Sequence, residues 1–104
     1  MKRTFLIAAI ATLAMAATAQ AQTDNLGRDI AVKNCSECHL VGSKDETPKS
    51  FTAPSFADIA NMTSTTLLSI KVFLQTPHSN MPNLILNEAE LDAIANYIVS
   101  LKRN

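Results

Sequence analysis

Two thiols and an imidazole fall within five residues, Cys35-Ser36-Glu37-Cys38-His39. Thiols three residues apart can bond two vinyl-derived carbons of one porphyrin while the adjacent imidazole turns under the ring to ligate its iron. Cys-x-x-Cys-His is accordingly the attachment signature of a covalently bound c-type haem. A pentapeptide with these three specified positions arises by chance in roughly one chain of this length in a thousand or fewer.

Three other chemistries use the same residue types. The cysteines are Cys35 and Cys38 and the histidines His39 and His78, so a Cys₂His₂ zinc site is arithmetically possible. Against it, Cys38 and His39 are sequence neighbours, whereas zinc knuckles and fingers separate their ligand pairs. A redox dithiol of the thioredoxin kind requires a βαβ context, and no strand-like alternation flanks the motif. A structural disulfide is the plainest alternative. Haem attachment accounts best for the whole pentapeptide, because it uses both thiols and the adjacent histidine at the spacing found.

The elements that would carry this motif read as helices. An N-cap type residue, Thr23 or Asp24, precedes Leu26, Ile30 and Ala31 at helical spacing, predicting a short helix to about Lys33 that runs straight into the motif. Gly27 lies inside it, where glycine costs about 1 kcal/mol relative to alanine; close approach of another helix or a frayed first turn would each explain it. From Val41 to Ser55 the composition shifts to Gly, Ser, Lys, Asp, Thr and Pro, an irregular loop, and Ala53 before Pro54 should be extended. Asp58 to Ala60 can form a brief helical turn. A middle helix capped at Thr63 or Ser64 carries Leu67, Leu68, Ile70, Val72, Phe73 and Leu74, apolar on more than one face, and stops near Gln75 or Thr76 because Pro77 follows. Asn87-Glu88-Ala89-Glu90 is a capping-box pattern. It opens a last helix with Leu91, Ile94, Ala95, Ile98 and Leu101 on one stripe and Lys102 and Arg103 at the end where the dipole favours cations.

Compartment is written at the other end. Lys2 and Arg3 precede an uncharged stretch, Phe5 to Ala17, too short to span a bilayer, and small residues follow at Ala17-Thr18-Ala19 and Ala19-Gln20-Ala21. Residues 1–21 therefore read as a secretory signal peptide cleaved near Ala19 or Ala21, the alternative being an uncleaved anchor. Residues 22–104 form one small domain, exported, soluble and without stable membrane insertion. A core of that size is marginal, and a buried porphyrin would add the apolar contact it lacks. The whole chain carries nine basic and nine acidic residues. Loss of Lys2 and Arg3 leaves seven against nine, a net charge of −2, which excludes the basic excess of a nucleic-acid binder.

The motif near the mature N-terminus, Pro54 in the following loop, Met81-Pro82 after a middle helix, and a terminal helix with Ile94 and Tyr97 together resemble the small bacterial class I cytochromes c. The resemblance spans essentially all of residues 22–104. It implies an all-α fold of roughly three to five helices wrapped around one covalently attached haem, with the terminal helices crossing at Gly27 against Ile94 and Tyr97. It also implies His39 as proximal iron ligand, with the Pro54 carbonyl accepting the proton of its other ring nitrogen. Departures from better-known members are the absence of tryptophan and a Gly42 to Thr52 loop without their glycine- and arginine-containing pattern, so propionate partners are not assigned.

Met81 is the candidate second axial ligand. Beyond the leader only Met62 and Met81 remain, and Met81 lies in a loop bracketed by Pro77 and Pro82, whereas Met62 directly precedes the middle helix. A thioether favours ferrous iron and raises the reduction potential; core filling is the ordinary alternative for a methionine. His78, three residues earlier, is a competing ligand. Phe51, Phe56 and Phe73 are candidate haem-wall residues or simply core, and Leu84-Ile85-Leu86 packs against haem or rims a docking face. No phosphate loop and no nucleophile with its base is present. The expectation is a monomeric periplasmic carrier, not an enzyme, that passes single electrons between redox protein partners. A haem-based gas-binding sensor and a small haem subunit of a dehydrogenase or oxidase complex are the alternatives.

Overall fold

A computed structural model describes residues 22, 25–42, 53–76, 78 and 80–103. The leader and its cleavage sites, Phe51, most of the Gly42 to Thr52 loop, and Pro77 lie outside the described residues. Helix α1 covers residues 25–34, α2 is Phe56–Asn61, α3 is Leu67–Gln75 and α4 is Glu88–Ser100. No strand occurs among the described residues, as the all-α reading expected.

The starts of α2, α3 and α4 are set by local chemistry, whereas the N-cap expected at Thr23 or Asp24 lies outside the described residues. In α4 the Asn87 side chain accepts from the Glu90 N–H at 2.9 Å and the Glu90 carboxylate accepts from the Asn87 N–H at 2.9 Å, the reciprocal bonding that the sequence announces. For α3 the cap is Thr66, not Thr63 or Ser64. Thr66 Oγ1 accepts from the Ser69 N–H at 3.1 Å and Ser69 Oγ from the Thr66 N–H at 2.8 Å, so serine replaces the usual glutamate of a capping box, a substitution the sequence reading passed over. α2 is longer than the turn expected at Asp58 to Ala60 because Ser55 caps it through the Asp58 N–H at 3.0 Å.

The core gathers around α4, which buries Leu91, Ala93, Ile94, Ala95, Tyr97 and Ile98. α2 contributes Phe56 and Ala60, α3 Ile70, and α1 Ile30 and Ala31. Gly27 explains how α1 approaches so closely. A Cβ at this position would stand 2.2 Å from the Ala93 carbonyl oxygen and 2.7 Å from the Tyr97 Cβ, so only glycine fits. The crossing partners are thus Ala93 and Tyr97, four residues apart and on one face of α4. Ile94, also expected there, is almost completely buried in the core cluster that holds Ile30 and Ala31 of α1. Two longer connections complete the frame. The buried Tyr97 hydroxyl donates to the Val41 carbonyl at 2.6 Å, and the Arg103 N–H donates to Asn61 Oδ1 at 3.0 Å, joining the end of α4 to α2.

Candidate haem site

The last turn of α1 continues into the motif: the Cys35 N–H donates to the Ala31 carbonyl at 2.9 Å, and the Cys38 and His39 N–H groups both donate to the Cys35 carbonyl, at 3.2 and 2.9 Å. Residues at i, i+3 and i+4 of a helical turn share a side, so both sulfurs and the imidazole can address one flat ligand. Cys35 is buried and Cys38 exposed. Burial pushes the Cys35 thiol up to about 11, which means this position favours an uncharged sulfur, as a thiol or a thioether is.

His39 is held from several directions. Its Nδ1 lies 2.6 Å from the Pro54 carbonyl; a carbonyl only accepts, so Nδ1 carries the proton and Nε2 keeps its lone pair. Such a bond sets the tautomer and orientation of a metal-binding imidazole. The Phe56 ring stands 5.3 Å away, tilted by 51°, and the Phe56 N–H donates to the Leu40 carbonyl at 2.9 Å. The segment 54–56 therefore grips the segment 39–40 by a side-chain and a main-chain bond, while Tyr97 clamps the next residue, Val41. Phe56 was visible in the sequence only as a candidate wall; its contact with the imidazole follows from Ser55 starting α2 directly after Pro54.

A second group forms beyond α3. Met81 is half-buried and its N–H donates to the His78 carbonyl at 3.2 Å. His78 Nδ1 lies 2.9 Å from the Thr76 carbonyl, and its ring meets Phe73 edge-on, 5.3 Å between centroids at 88°. Phe73 leaves 57% of its surface, and Ile85 96%, uncovered by protein. Among the described residues, no three His, Cys, Asp or Glu side chains come together as a metal site. The two cysteines, His39 and His78 are therefore not gathered into the cluster that a Cys₂His₂ zinc site would need. The donor set fits a haem instead: two sulfurs and an Nε2 lone pair presented from one turn, with apolar surface available elsewhere for a porphyrin.

Residues 25–102 match the cytochrome c family. The chain belongs to that family. It is also 32% identical over 93 residues to cytochrome c-552 of Bradyrhizobium diazoefficiens, covering 89% of this chain and 88% of that protein. No solved structure matches it. As a cytochrome c the chain binds one haem c, attached through Cys35 and Cys38. Among the described residues of this cytochrome, no helix is long and apolar enough to cross a membrane.

Proposed function

We propose that this cytochrome is an exported, soluble carrier of single electrons, with His39 and Met81 as the axial ligands of its haem iron. The observation that carries the reading is the Nδ1–H of His39 held by the Pro54 carbonyl at 2.6 Å, on the same turn as both attachment cysteines. When bound, the haem supplies an iron that exchanges one electron between its ferric and ferrous states. The chain does the rest. His39 offers Nε2 in a fixed orientation, Phe56 stands against its ring, and Met81 offers a thioether, which favours the reduced iron. With His39 and Met81 both bound to the iron, no position would be left for a substrate, which argues for a carrier over an enzyme or gas sensor. Single-electron transfer in the periplasm, between redox protein partners and as a monomer, is part of the proposal. It is supported by the family and by the leader-like residues 1–21.

The optical spectrum of the ferric, exported protein tests this. A low-spin spectrum with the weak near-infrared thioether-to-iron band, and no response to carbon monoxide after reduction, is the expected result. Met81→Ala should keep the haem attached, lose that band and bind carbon monoxide. Unchanged ligation in that variant would refute the assignment of Met81, and carbon monoxide binding by the wild type would favour the sensor.

A further inference from the structure

We infer that His78 is a positioning residue for Met81, acting through its Nδ1–H and ring edge, and not as an axial ligand. The inference rests on Met81 being the second ligand.

The segment between the C-cap of α3, Thr76, and the N-cap of α4, Asn87, must deliver a thioether from an irregular backbone. In this segment the His78 side chain reaches back to the end of α3 with a hydrogen bond and a ring contact. Its Nδ1–H donates to the Thr76 carbonyl at 2.9 Å, and its ring stands edge-on to Phe73, one turn earlier in the helix. The Thr76 hydroxyl donates in turn to the Val72 carbonyl, and the Thr76 N–H to the Phe73 carbonyl at 3.3 Å, so the residue that accepts from His78 is itself bound to α3. The other end of the relay is the His78 carbonyl, which accepts the Met81 N–H at 3.2 Å. Helix, cap, imidazole and ligand backbone thus form one connected chain of contacts.

Comparison with His39 separates the two possible roles of His78. Both imidazoles donate Nδ1–H to a backbone carbonyl. The His39 acceptor is 15 residues away in another segment, which orients the ring relative to the rest of the protein. The His78 acceptor is two residues back in its own loop. That geometry closes a local turn and sets the ring edge-on to Phe73, so it shapes the loop rather than fixing the ring against another segment. A histidine spent on shaping the loop would hold Met81 in place toward a haem iron in either oxidation state.

Substitutions can tell the ring nitrogens apart. An asparagine amide nitrogen falls near the position of Nδ1 and can still donate to Thr76, whereas a glutamine amide falls near Nε2 and cannot. Imidazole added to the ferric protein competes with Met81 for iron and is read by loss of the thioether band. In His78→Ala and His78→Gln its affinity should rise about tenfold, and in His78→Asn less than about threefold, as expected for loss and retention of one neutral hydrogen bond. Equal affinities in wild type and all three variants would overturn the inference, as would an asparagine variant no better than alanine. If Met81→Ala stays low-spin and the His78 variants turn high-spin, His78 is the ligand and the inference falls. A wild-type protein without the thioether band would instead remove the Met81 assignment on which it stands, a failure visible before any variant is made.

Discussion

The surroundings of His39 and of Met81 differ in how far along the chain their supports lie. His39 is braced by Pro54 and Phe56, and the residue two beyond it by Tyr97, contacts that span 15 to 56 residues. Those supports belong to the same core that α1 and α4 build at Gly27. Met81 is braced by His78 and, through it, by Thr76 and Phe73, all within eight residues. His39 is tied into the fold, whereas Met81, the proposed second ligand, is mounted on it. The first can be disturbed only by disturbing the whole domain, whereas the second can be released by opening a loop. On the proposed ligand set, a haem attached through Cys35 and Cys38 would stay seated even with Met81 released.

The strongest way to break this contrast is at the helix crossing. Gly27→Val places a branched side chain where even a Cβ would meet the Ala93 carbonyl at 2.2 Å. Backbone cannot yield as a flexible side chain can, so α1 and α4 should separate at a cost of roughly 3 kcal/mol. Thermal unfolding followed by circular dichroism should show a midpoint lower by more than about 10 °C for a domain of this size. His39 and its spectrum should be lost together with the fold. A variant with wild-type melting would mean that the crossing is not as close as described.

A finer cut removes only one proximal brace. Tyr97→Phe keeps the ring against Gly27 but leaves the Val41 carbonyl, on a residue only 1% exposed, without the hydroxyl that donates to it. An unpaired buried carbonyl costs about 1–3 kcal/mol, a fall in melting midpoint of roughly 5–15 °C. The thioether band should survive, because Met81 hangs on the other set of contacts. If that band disappeared while the fold melted normally, the two sets would be coupled and the contrast drawn above would be wrong.

How much of this the sequence discloses follows the same division between local and long-range chemistry. The capping box at Asn87, the apolar stripe of α4 and the haem-attachment turn are local patterns, and they are legible because each is written within a few residues. The α3 cap was misplaced by two or three residues because Thr63, Ser64, Thr65 and Thr66 all have N-cap side chains, and the choice fell to which of them has a partner at Ser69. Gly27 was recognisable as anomalous, yet its close approach to the Ala93 carbonyl had to come from the packing. The Tyr97 to Val41 bond, 56 residues apart, and the tilted contact of Phe56 with His39 have no local signature. Proline before a buried phenylalanine, Pro54-Ser55-Phe56, was the one hint available for the second.

The smallest effect belongs to the contact that looks strongest on the surface. Lys71 of α3 pairs with Asp92 of α4, and this bond to Asp92 raises the ammonium above its ordinary value of 10.5. Because the folded-state value is raised, any stabilisation is fully present below 10.5 and is lost as pH climbs through the higher folded-state value. Both side chains face solvent, where salt screens the pair and holding two flexible chains together offsets the attraction. Lys71→Ala should therefore melt within error of the wild type at neutral pH and moderate salt, with imidazole affinity unchanged. A clear loss of stability would show that α3 depends on this pair for its position against α4. A change in imidazole affinity without one would show that the pair, sited two residues before Phe73, helps to set the platform on which His78 and Met81 are mounted.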